Sequence, residues 1–373
     1  MNKTLLVALT GITIGGVGFG LVTPVTVILL EQNNTPALLN GFLQTLQYVA
    51  VAIFAFFTGR IIDKYTVTRV ITYGYIFWII GALGHIYWYN FYVLVPVKII
   101  SGLGATFIFV GTEVLINRIS DESNRGKNIG IYAVLLSTGI AIGSFLIWTV
   151  TIKDYLPFLI AAGIVGLGFI VQSFFIGYVK IVHFEERPAR MKLSEMPSLS
   201  LITAFLYGMF ESSIIVVIPL FGLRNSFSET DISYFMGAFV VGGIILLYYL
   251  SKMSDKFPKT KMLMVVSVIL TLLTPLPAFL QSFIILIILF FFIGGLVPAY
   301  YTIGLNFTLE KTTPEQISQA NGFFATFYGV GTVMGPFLGS FLIDLHTDYG
   351  YWLFSSVVCF ILILTLISKK SHS

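Results

Sequence analysis

The sequence predicts an all-α membrane protein with twelve transmembrane helices in two six-helix pseudo-repeats. Three observations support this fold class: an apolar composition, twelve apolar runs of spanning length, and an internal repeat at a constant offset. Hydrophobic residues occupy 57% of the 373 positions and charged residues only 10%, whereas a typical soluble domain carries about 25% charged residues. A core cannot hide so much apolar surface, so a lipid solvent is the natural explanation.

Spanning helices need about 20 mostly apolar residues, and twelve runs meet this condition. The first run is too long for a signal-peptide core of about 7–15 residues, so we interpret it as a retained span. The stretch 262–309 contains no charged residue, and we divide it at Thr274–Pro277 and Gln281–Ser282 because it is too long for one helix. The predicted spans are 5–30, 41–62, 69–88, 92–116, 128–150, 157–181, 198–222, 231–251, 260–280, 283–308, 317–343 and 348–368.

The loop charges agree with this division. Lysines and arginines concentrate on the cytoplasmic side of membrane proteins. With the N-terminus inside, 18 of the 21 fall in cytoplasmic segments, Lys153 and Arg224 lie outside, and Lys98 lies within a span. The sequence therefore predicts a multi-pass protein of the plasma membrane with both termini cytoplasmic.

The positive charges lie in short loops, so the net charge of +4 requires no nucleic-acid partner. Cys359 is the only cysteine, which excludes an internal disulfide and a cysteine metal cluster.

An internal repeat relates the two halves of the chain. A shift of 192 residues superimposes matching residues from the first six spans on the last six, which indicates parallel repeats of the kind found in transporters. The matching pairs are Gly16 and Gly208, Asp63 and Asp255, Lys64 and Lys256, Gly102 and Gly294, Gly130 and Gly322, Ala133 and Ala325, Gly139 and Gly331, Gly143 and Gly335, and Phe145 and Phe337. We predict an N-terminal half at 1–181, a cytoplasmic linker at 182–197 and a C-terminal half at 198–373.

The loop between spans two and three carries a recognisable motif. It reads GRIIDK from Gly59 to Lys64, and the loop between spans eight and nine contains a degenerate copy, SKMSDK. These loops resemble the signature loop of the major facilitator superfamily, and span four resembles its second motif, with lysine where arginine is usual. In span five the glycines of the antiporter motif are present, but Ser144 replaces its proline. The motif residues are Gly59, Asp63, Lys64 and Arg69 in the first loop, Asp255 and Lys256 in its copy, Leu94, Lys98, Gly102 and Gly104 in span four, and Gly139 and Gly143 in span five.

The resemblance implies the major facilitator fold, transport by alternating access, and a gate at the cytoplasmic side. In the superfamily the two signature loops lock the halves closed there, which implies Asp63 near span eleven and Asp255 near span five. A carboxylate at that position can face the positive end of a helix dipole. The chain resembles the uncharacterised bacterial YcaD-type branch more closely. The resemblance lies in the sequence EVLIN at the end of span four and in the sequences FES and PLF of span seven. That likeness implies efflux of a small solute, while the substrate does not transfer.

Ionisable groups within spans are the candidate functional residues. Placing such a group in hydrocarbon costs about 2.5–3.5 kcal/mol on insertion scales. Glu211 lies about 13 residues into span seven, roughly 20 Å along the helix; Glu113 lies near the inner end of span four, and Lys98 in its outer half. We interpret them as proton-coupling or substrate-binding residues. The polar residues that accompany them are Gln44, Gln47, Asn306, Tyr300 and Tyr301.

Each candidate also has a structural interpretation. Neighbouring hydroxyls could hold Glu211 as a buried carboxylate, Glu113 could cap the inner end of its helix, and Lys98 could reach outward to water. If Glu211 is functional, one carboxyl group that binds either a proton or a cationic solute couples their movements in opposite directions. Lys98 lies at a comparable depth and is a possible partner.

Three functions remain open from the residues alone. The first is proton-coupled export of a small amphipathic or cationic solute, since carboxylates and aromatic rings attract cations. The second is uptake or facilitated diffusion of a small nutrient, with Lys98 pairing an anionic group. The third is a membrane receptor or enzyme, but the sequence lacks HExxH, GxxxxGK[ST] and GxSxG. We therefore expect no enzyme and no cofactor, and we expect a monomer whose partners are a small solute, protons and the bilayer.

The orientation can be tested by cysteine labelling in intact cells. In a background that lacks Cys359, we expect Ser194→Cys to be protected from a membrane-impermeant maleimide, because it lies in the predicted cytoplasmic linker. Ser226→Cys should react, because it follows span seven on the outer side. The reverse labelling pattern would place the N-terminus outside.

Overall fold

A computed structural model of the chain describes residues 3–175, 191–254, 256–313, 316–346 and 349–370. Thirteen α-helices lie in this part of the chain. Their bounds are α1 Lys3–Gln32, α2 Ala37–Tyr65, α3 Val67–Gly84, α4 Phe91–Ile119, α5 Glu122–Phe145, α6 Leu156–Phe175, α7 Ser198–Arg224, α8 Glu229–Ser254, α9 Lys259–Leu273, α10 Phe283–Leu296, α11 Ala299–Lys311, α12 Ile317–Leu345 and α13 Gly350–Lys370.

Among the described residues, twelve helical segments are long and apolar enough to cross a membrane. The predicted fold class of twelve transmembrane helices is confirmed. The division of the long apolar stretch is also correct, since α9 ends at Leu273 and α10 begins at Phe283, with a short 3₁₀ turn between them. The end of predicted span six, 176–181, lies outside the described residues, as does 182–190 of the predicted linker.

The tenth span differs from the single helix predicted over 283–308. It consists of α10 and α11, which meet at Val297 and Pro298. Proline has no backbone N–H and clashes with the preceding turn of a helix. Two glycines, Gly294 and Gly295, lie in the last turn of α10 and weaken the helix further. Val297 and Pro298 keep right-handed helical dihedrals, so α10 and α11 still form one span from Phe283 to Lys311.

The contacts of the chain define two compact units. Unit 1 contains α1, most of α2, α3 to α6 and the first turns of α8, residues 228–237. Unit 2 contains α7, the rest of α8, α9 to α13 and the start of α2, residues 36–41. In unit 2 the backbone N–H of Leu38 donates to Asp344 Oδ2 at 3.1 Å, and Asp344 also pairs with Arg224 at 2.9 Å.

In unit 1, α1 and α5 pack with their backbones almost in contact. A Cβ added at Gly16 would lie 2.6 Å from the carbonyl oxygen of Leu136, and one added at Gly139 would lie 2.1 Å from the carbonyl oxygen of Thr13. Real Cβ atoms do not approach backbone atoms so closely, so only glycine fits at both positions. Small residues at the contact between two helices are the usual means by which helices associate in lipid.

Unit 2 contains the same contacts between α7 and α12. A Cβ added at Gly208 would lie 2.2 Å from the carbonyl oxygen of Tyr328, and one at Gly331 would lie 2.2 Å from that of Phe205. Each of these four residues lies 192 positions after its counterpart in unit 1. The offset found in the sequence is therefore repeated in three dimensions, contact for contact.

The glycine contacts give a stability prediction. We expect Gly139→Ala to lower the free energy of unfolding by about 1–3 kcal/mol, because the added methyl overpacks against a backbone carbonyl. Gly331→Ala should cost a similar amount, because it is the repeat counterpart. Gly163→Ala in α6 is the matched control, since its Cβ would meet nothing within 4 Å. Thermal unfolding in detergent measures all three, and equal melting temperatures for Gly139→Ala and Gly163→Ala would contradict the close contact.

Candidate functional site

Glu211 lies on α7, and two tyrosine hydroxyls hold its carboxylate. Tyr207 donates to Oε1 at 2.7 Å, and Tyr328 of α12 donates to Oε2 at 2.6 Å. Tyr207 lies four residues before Glu211, so both side chains share one face of the helix. Tyr328 reaches the carboxylate because its own backbone carbonyl packs against Gly208 of α7. The glycine contact therefore sets the distance between Tyr328 and Glu211.

Further aromatic rings surround these two tyrosines. The rings of Tyr207 and Tyr328 stack with centroids 5.5 Å apart. Tyr301 of α11 lies edge-on to both, at 5.3 Å from Tyr207 and 5.5 Å from Tyr328. Phe324 packs on Tyr301 at 5.1 Å. We call Tyr207, Tyr301, Tyr328 and Phe324 the tyrosine cluster.

The tyrosine cluster places accessible ring surfaces beside the Glu211 carboxylate. Glu211 and the three tyrosines are partly exposed, whereas Phe324 is buried beneath Tyr301. Both hydrogen bonds to the carboxylate come from neutral hydroxyls, which leaves its negative charge without a compensating cation among those bonds. Ring faces attract cations electrostatically. This combination suits a small organic cation.

The equivalent position in unit 1 is apolar. At the offset of 192 residues, Phe19 corresponds to Glu211 and Phe109 corresponds to Tyr301. The rings of Phe19 and Phe109 pack edge to face at 5.9 Å, and Phe19 also packs on Tyr48 at 6.5 Å. The carboxylate is therefore a feature of unit 2 alone at this repeat position.

Three of the predicted residues come together in unit 1. The Lys98 ammonium on α4 donates to Gln44 Oε1 at 2.8 Å and to Gln47 Oε1 at 3.5 Å. The two glutamines lie three residues apart on α2 and present their amides on the same side. Lys98 and Gln44 have no exposed surface, and Gln47 is 4% exposed. The amide oxygens thus solvate a buried ammonium.

The remaining predicted polar residues lie in different surroundings. Glu113 is exposed near the end of α4. Asn306 donates to Ser254 Oγ at 3.2 Å, a contact between α11 and α8. Tyr300 is fully buried and donates to Ser267 Oγ at 3.1 Å. The next residue on α11, Tyr301, belongs to the tyrosine cluster instead.

The signature-loop residues lie at the junctions of helices. Gly59 and Lys64 are exposed in the last turns of α2, where the Lys64 ammonium lies 5.1 Å from the ring of Tyr65. Arg69 is exposed in the first turn of α3. The backbone of Asp63 is helical, but its side chain lies outside what the structure describes. Asp255, next to Lys256, also lies outside the described residues. The predicted contacts of both carboxylates therefore stay predictions.

Sequence reasoning did not find three members of the tyrosine cluster. Tyr207 had a signal, because a tyrosine four residues before a mid-span glutamate shares its helix face. Tyr328 is 117 residues from Glu211, and only the glycine repeat pointed to the packing of α12 against α7. Phe324 has no polar group and gave no signal.

Comparisons with known proteins agree with the fold. The family model described as "Major Facilitator Superfamily" matches residues 8–198 and 200–372. The crystal structure of a substituted form of the nucleoside transporter NupG superimposes with a TM-score of 0.82 at 12% identity, covering 98% of this chain and 99% of that one.

Curated relatives match along nearly the whole chain. The uncharacterized MFS-type transporter YfkF of Bacillus subtilis is 23% identical, covering 97% of this chain and 94% of that protein. Multidrug resistance protein 1 of Bacillus subtilis is 23% identical, with coverage of 99% and 97%. The uncharacterized MFS-type transporter YcaD of Salmonella paratyphi A is 22% identical, with coverage of 100% and 97%. The predicted resemblance to the YcaD-type branch is thus confirmed.

The bond between Tyr328 and Glu211 can be tested by a double-mutant cycle. Tyr328→Phe removes one hydroxyl and keeps the ring, so we expect a loss of about 1.5–3 kcal/mol of unfolding free energy, because the lost bond is to a charged group. Combined with Glu211→Leu, its effect should be smaller than alone by at least about 0.5 kcal/mol, because the two residues interact.

Tyr351→Phe is the matched control for this cycle. It removes a hydroxyl that bonds Ser213 at 2.6 Å in the same unit, so its effect should add to that of Glu211→Leu within about 0.5 kcal/mol. Additivity of Tyr328→Phe with Glu211→Leu would show that the hydroxyl does not hold the carboxylate.

Proposed function

This chain belongs to the major facilitator superfamily, and on that premise we propose that it is a proton-coupled exporter of a small organic cation or cationic amphiphile. Members of this family are transporters, not enzymes. The chain is thus a multi-pass membrane transporter, with the plasma membrane as its proposed location and both termini in the cytoplasm. We propose that it works as a monomer, by alternating access.

The Glu211 carboxylate within the tyrosine cluster carries this proposal. Its two oxygens accept hydrogen bonds from neutral hydroxyls at 2.7 and 2.6 Å, so its charge remains available to a cation. The rings of Tyr207, Tyr301 and Tyr328 lie within 5.5 Å of one another. A planar or quaternary cation would contact these ring faces and the carboxylate at the same time.

Coupling follows from competition for one carboxylate. Glu211 binds either a proton or the cationic solute, so entry of a proton releases the solute and entry of the solute releases the proton. If the two reach the site from opposite sides of the membrane, their net movements are opposed. Tyr207 and Tyr328 hold the carboxylate in place in both states, because hydroxyls serve as donors or acceptors.

The names of relatives support export without identifying the solute. Multidrug resistance protein 1 is named for resistance to drugs, and the quinolone resistance protein NorA of Staphylococcus aureus also matches at 23% identity over the whole chain. For a membrane transporter, removal of the compound from the cell is the direct route to resistance. We extend export from those proteins to this chain on the strength of the carboxylate and its aromatic surroundings.

Nutrient uptake is the second candidate, and one observation favours it. Lys98 carries a positive charge that an anionic solute would pair with. In the structure, however, the ammonium has no exposed surface and is solvated by Gln44 and Gln47. Uptake by this route would require a rearrangement that exposes Lys98, whereas Glu211 is already accessible. Export of a cation is therefore the better supported function.

The gate remains part of the proposal. We infer that Asp63 and Asp255 each cap a helix N-terminus of the opposite half when the cytoplasmic side closes. Gly59, Lys64, Arg69 and Lys256 flank these carboxylates in sequence. The glycine contacts of α1 with α5 and of α7 with α12 keep each half intact during this movement.

The coupling role of Glu211 predicts the behaviour of Glu211→Gln. Glutamine has nearly the same shape but cannot release a proton. In liposomes with an imposed pH gradient, we expect the wild-type chain to accumulate organic cations, with ethidium as the fluorescent probe, and to ignore sugars, nucleosides and organic anions. Glu211→Gln should abolish accumulation and leave exchange of one probe molecule for another largely intact.

Glu310→Gln provides a matched control for this experiment. Glu310 is at the exposed end of α11, where it pairs with Lys259 at 3.0 Å. An exposed ion pair of this kind contributes little to stability. The variant should transport like the wild type. Normal accumulation by Glu211→Gln would make Glu211 a structural group, and gradient-driven transport of nucleosides or anions in place of cations would favour uptake.

A further inference from the structure

Unit 2 contains a cavity that the transport proposal does not use. Its volume is about 670 Å³, which lies within the range of small-molecule sites. The first turns of α7 and α9 and the last turns of α11 and α13 surround it, through residues that include Leu199, Val265, Phe307 and Leu366. All four helices present the same end of the unit here, the end predicted to be cytoplasmic.

The cavity extends from the helix ends into the apolar part of the spans. Its lining follows α9 from Pro258 to Val265, which is about 10 Å along the helix axis. Val265 is 57% exposed although it belongs to a spanning helix. An exposed valine at this depth faces hydrocarbon, so the cavity has an apolar edge on the lipid side.

The cavity is apolar with a single positive charge. Lys261 is the only charged residue among the described residues that line it, and its side chain is exposed at the mouth. Lys259 nearby is paired with Glu310 at 3.0 Å. The Lys311 ammonium lies 6.0 Å from the ring of Phe307, a lining residue. Two lysines therefore flank an apolar recess that contains no carboxylate in its described lining.

We propose that this cavity binds one anionic phospholipid, with an acyl chain in the apolar recess and the phosphate at Lys261. The charge is complementary, since basic pockets between spanning helices bind anionic headgroups. The depth is complementary as well, because the lysine lies at the helix ends, where headgroups lie, and the apolar walls continue inward. A water-soluble phosphate compound would use the lysine but leave the recess empty.

The proposed lipid differs in charge from the proposed transported solute. Glu211 and the tyrosine cluster attract cations, whereas Lys261 attracts anions, so one ligand does not satisfy both sites. The lipid instead joins the ends of α7, α9, α11 and α13. Its binding should raise the melting temperature of the protein, because a ligand that binds only the folded state stabilises it.

Lipid retention by the purified full-length chain tests the proposal. The protein is stripped of lipid in detergent and titrated with phosphatidylglycerol or with phosphatidylcholine of the same acyl chains, and native mass spectrometry counts the lipids bound. We expect one phosphatidylglycerol per chain to bind in preference to phosphatidylcholine. Lys261→Gln should weaken phosphatidylglycerol binding about fivefold, the effect of one lysine near an anionic headgroup.

Two further variants separate the site from general charge effects. Thr260→Trp introduces a large side chain at an exposed position of the lining and should abolish the preferred lipid without unfolding the protein. Lys252→Gln removes an exposed lysine at the end of α8, outside the lining, and should bind lipid like the wild type. Glu211→Gln should also bind lipid normally.

Several results would overturn the lipid site. Equal retention of phosphatidylglycerol by the wild type, Lys261→Gln and Thr260→Trp would show that this cavity is not the place of binding. Equal binding of phosphatidylcholine would exclude recognition of charge. If glycerol 3-phosphate raised the melting temperature as much as phosphatidylglycerol does, the ligand would be a water-soluble phosphate instead. Loss of ethidium transport in Thr260→Trp with unchanged lipid binding would assign the cavity to the solute.

Discussion

The approach of α12 to α7 is the constraint on which the candidate site depends. Gly208 and Gly331 allow the two backbones to touch, and a Cβ at either position would lie 2.2 Å from a carbonyl oxygen of the other helix. Because the carbonyl that packs on Gly208 belongs to Tyr328, the same contact brings the Tyr328 hydroxyl to Glu211. Packing and chemistry are therefore linked through one residue, and a wider helix separation would remove the hydrogen bond.

Placing a carboxylate within the spans has a cost that the surroundings must offset. The insertion penalty is about 2.5–3.5 kcal/mol for a charge at mid-span, and hydrogen bonds to a charged group contribute about 1.5–3 kcal/mol each. Two hydroxyl donors are therefore of the right size to retain Glu211. Hydroxyls stabilise the carboxylate without neutralising its charge, whereas a lysine or arginine would neutralise it. The structural and the functional interpretation of Glu211 thus require the same two tyrosines, and only proton release separates them.

Much of the fold could be predicted from the sequence, because length and apolarity alone decide whether a helix spans a membrane. The interruption near Pro275 was predictable from turn residues, and the one at Pro298 from the proline, which removes a backbone hydrogen bond. The candidate site was predictable only in part. A charge in hydrocarbon marks Glu211 and Lys98 individually, and helical spacing connects Tyr207 to Glu211. Contacts between helices, such as Lys98 with Gln44, depend on the rotation of each helix, which composition does not determine.

The repeat separates what the fold requires from what it does not. Backbone contacts recur at the offset of 192 residues, so both halves need the same glycines. The ionisable groups within the spans do not recur: Glu211 of unit 2 corresponds to Phe19, and Lys98 of unit 1 corresponds to Phe290, which is fully buried. In each pair, one half folds with phenylalanine where the other carries an ionisable group. The architecture therefore does not demand either charge, which supports the proposal that the two groups handle a charged solute or a proton.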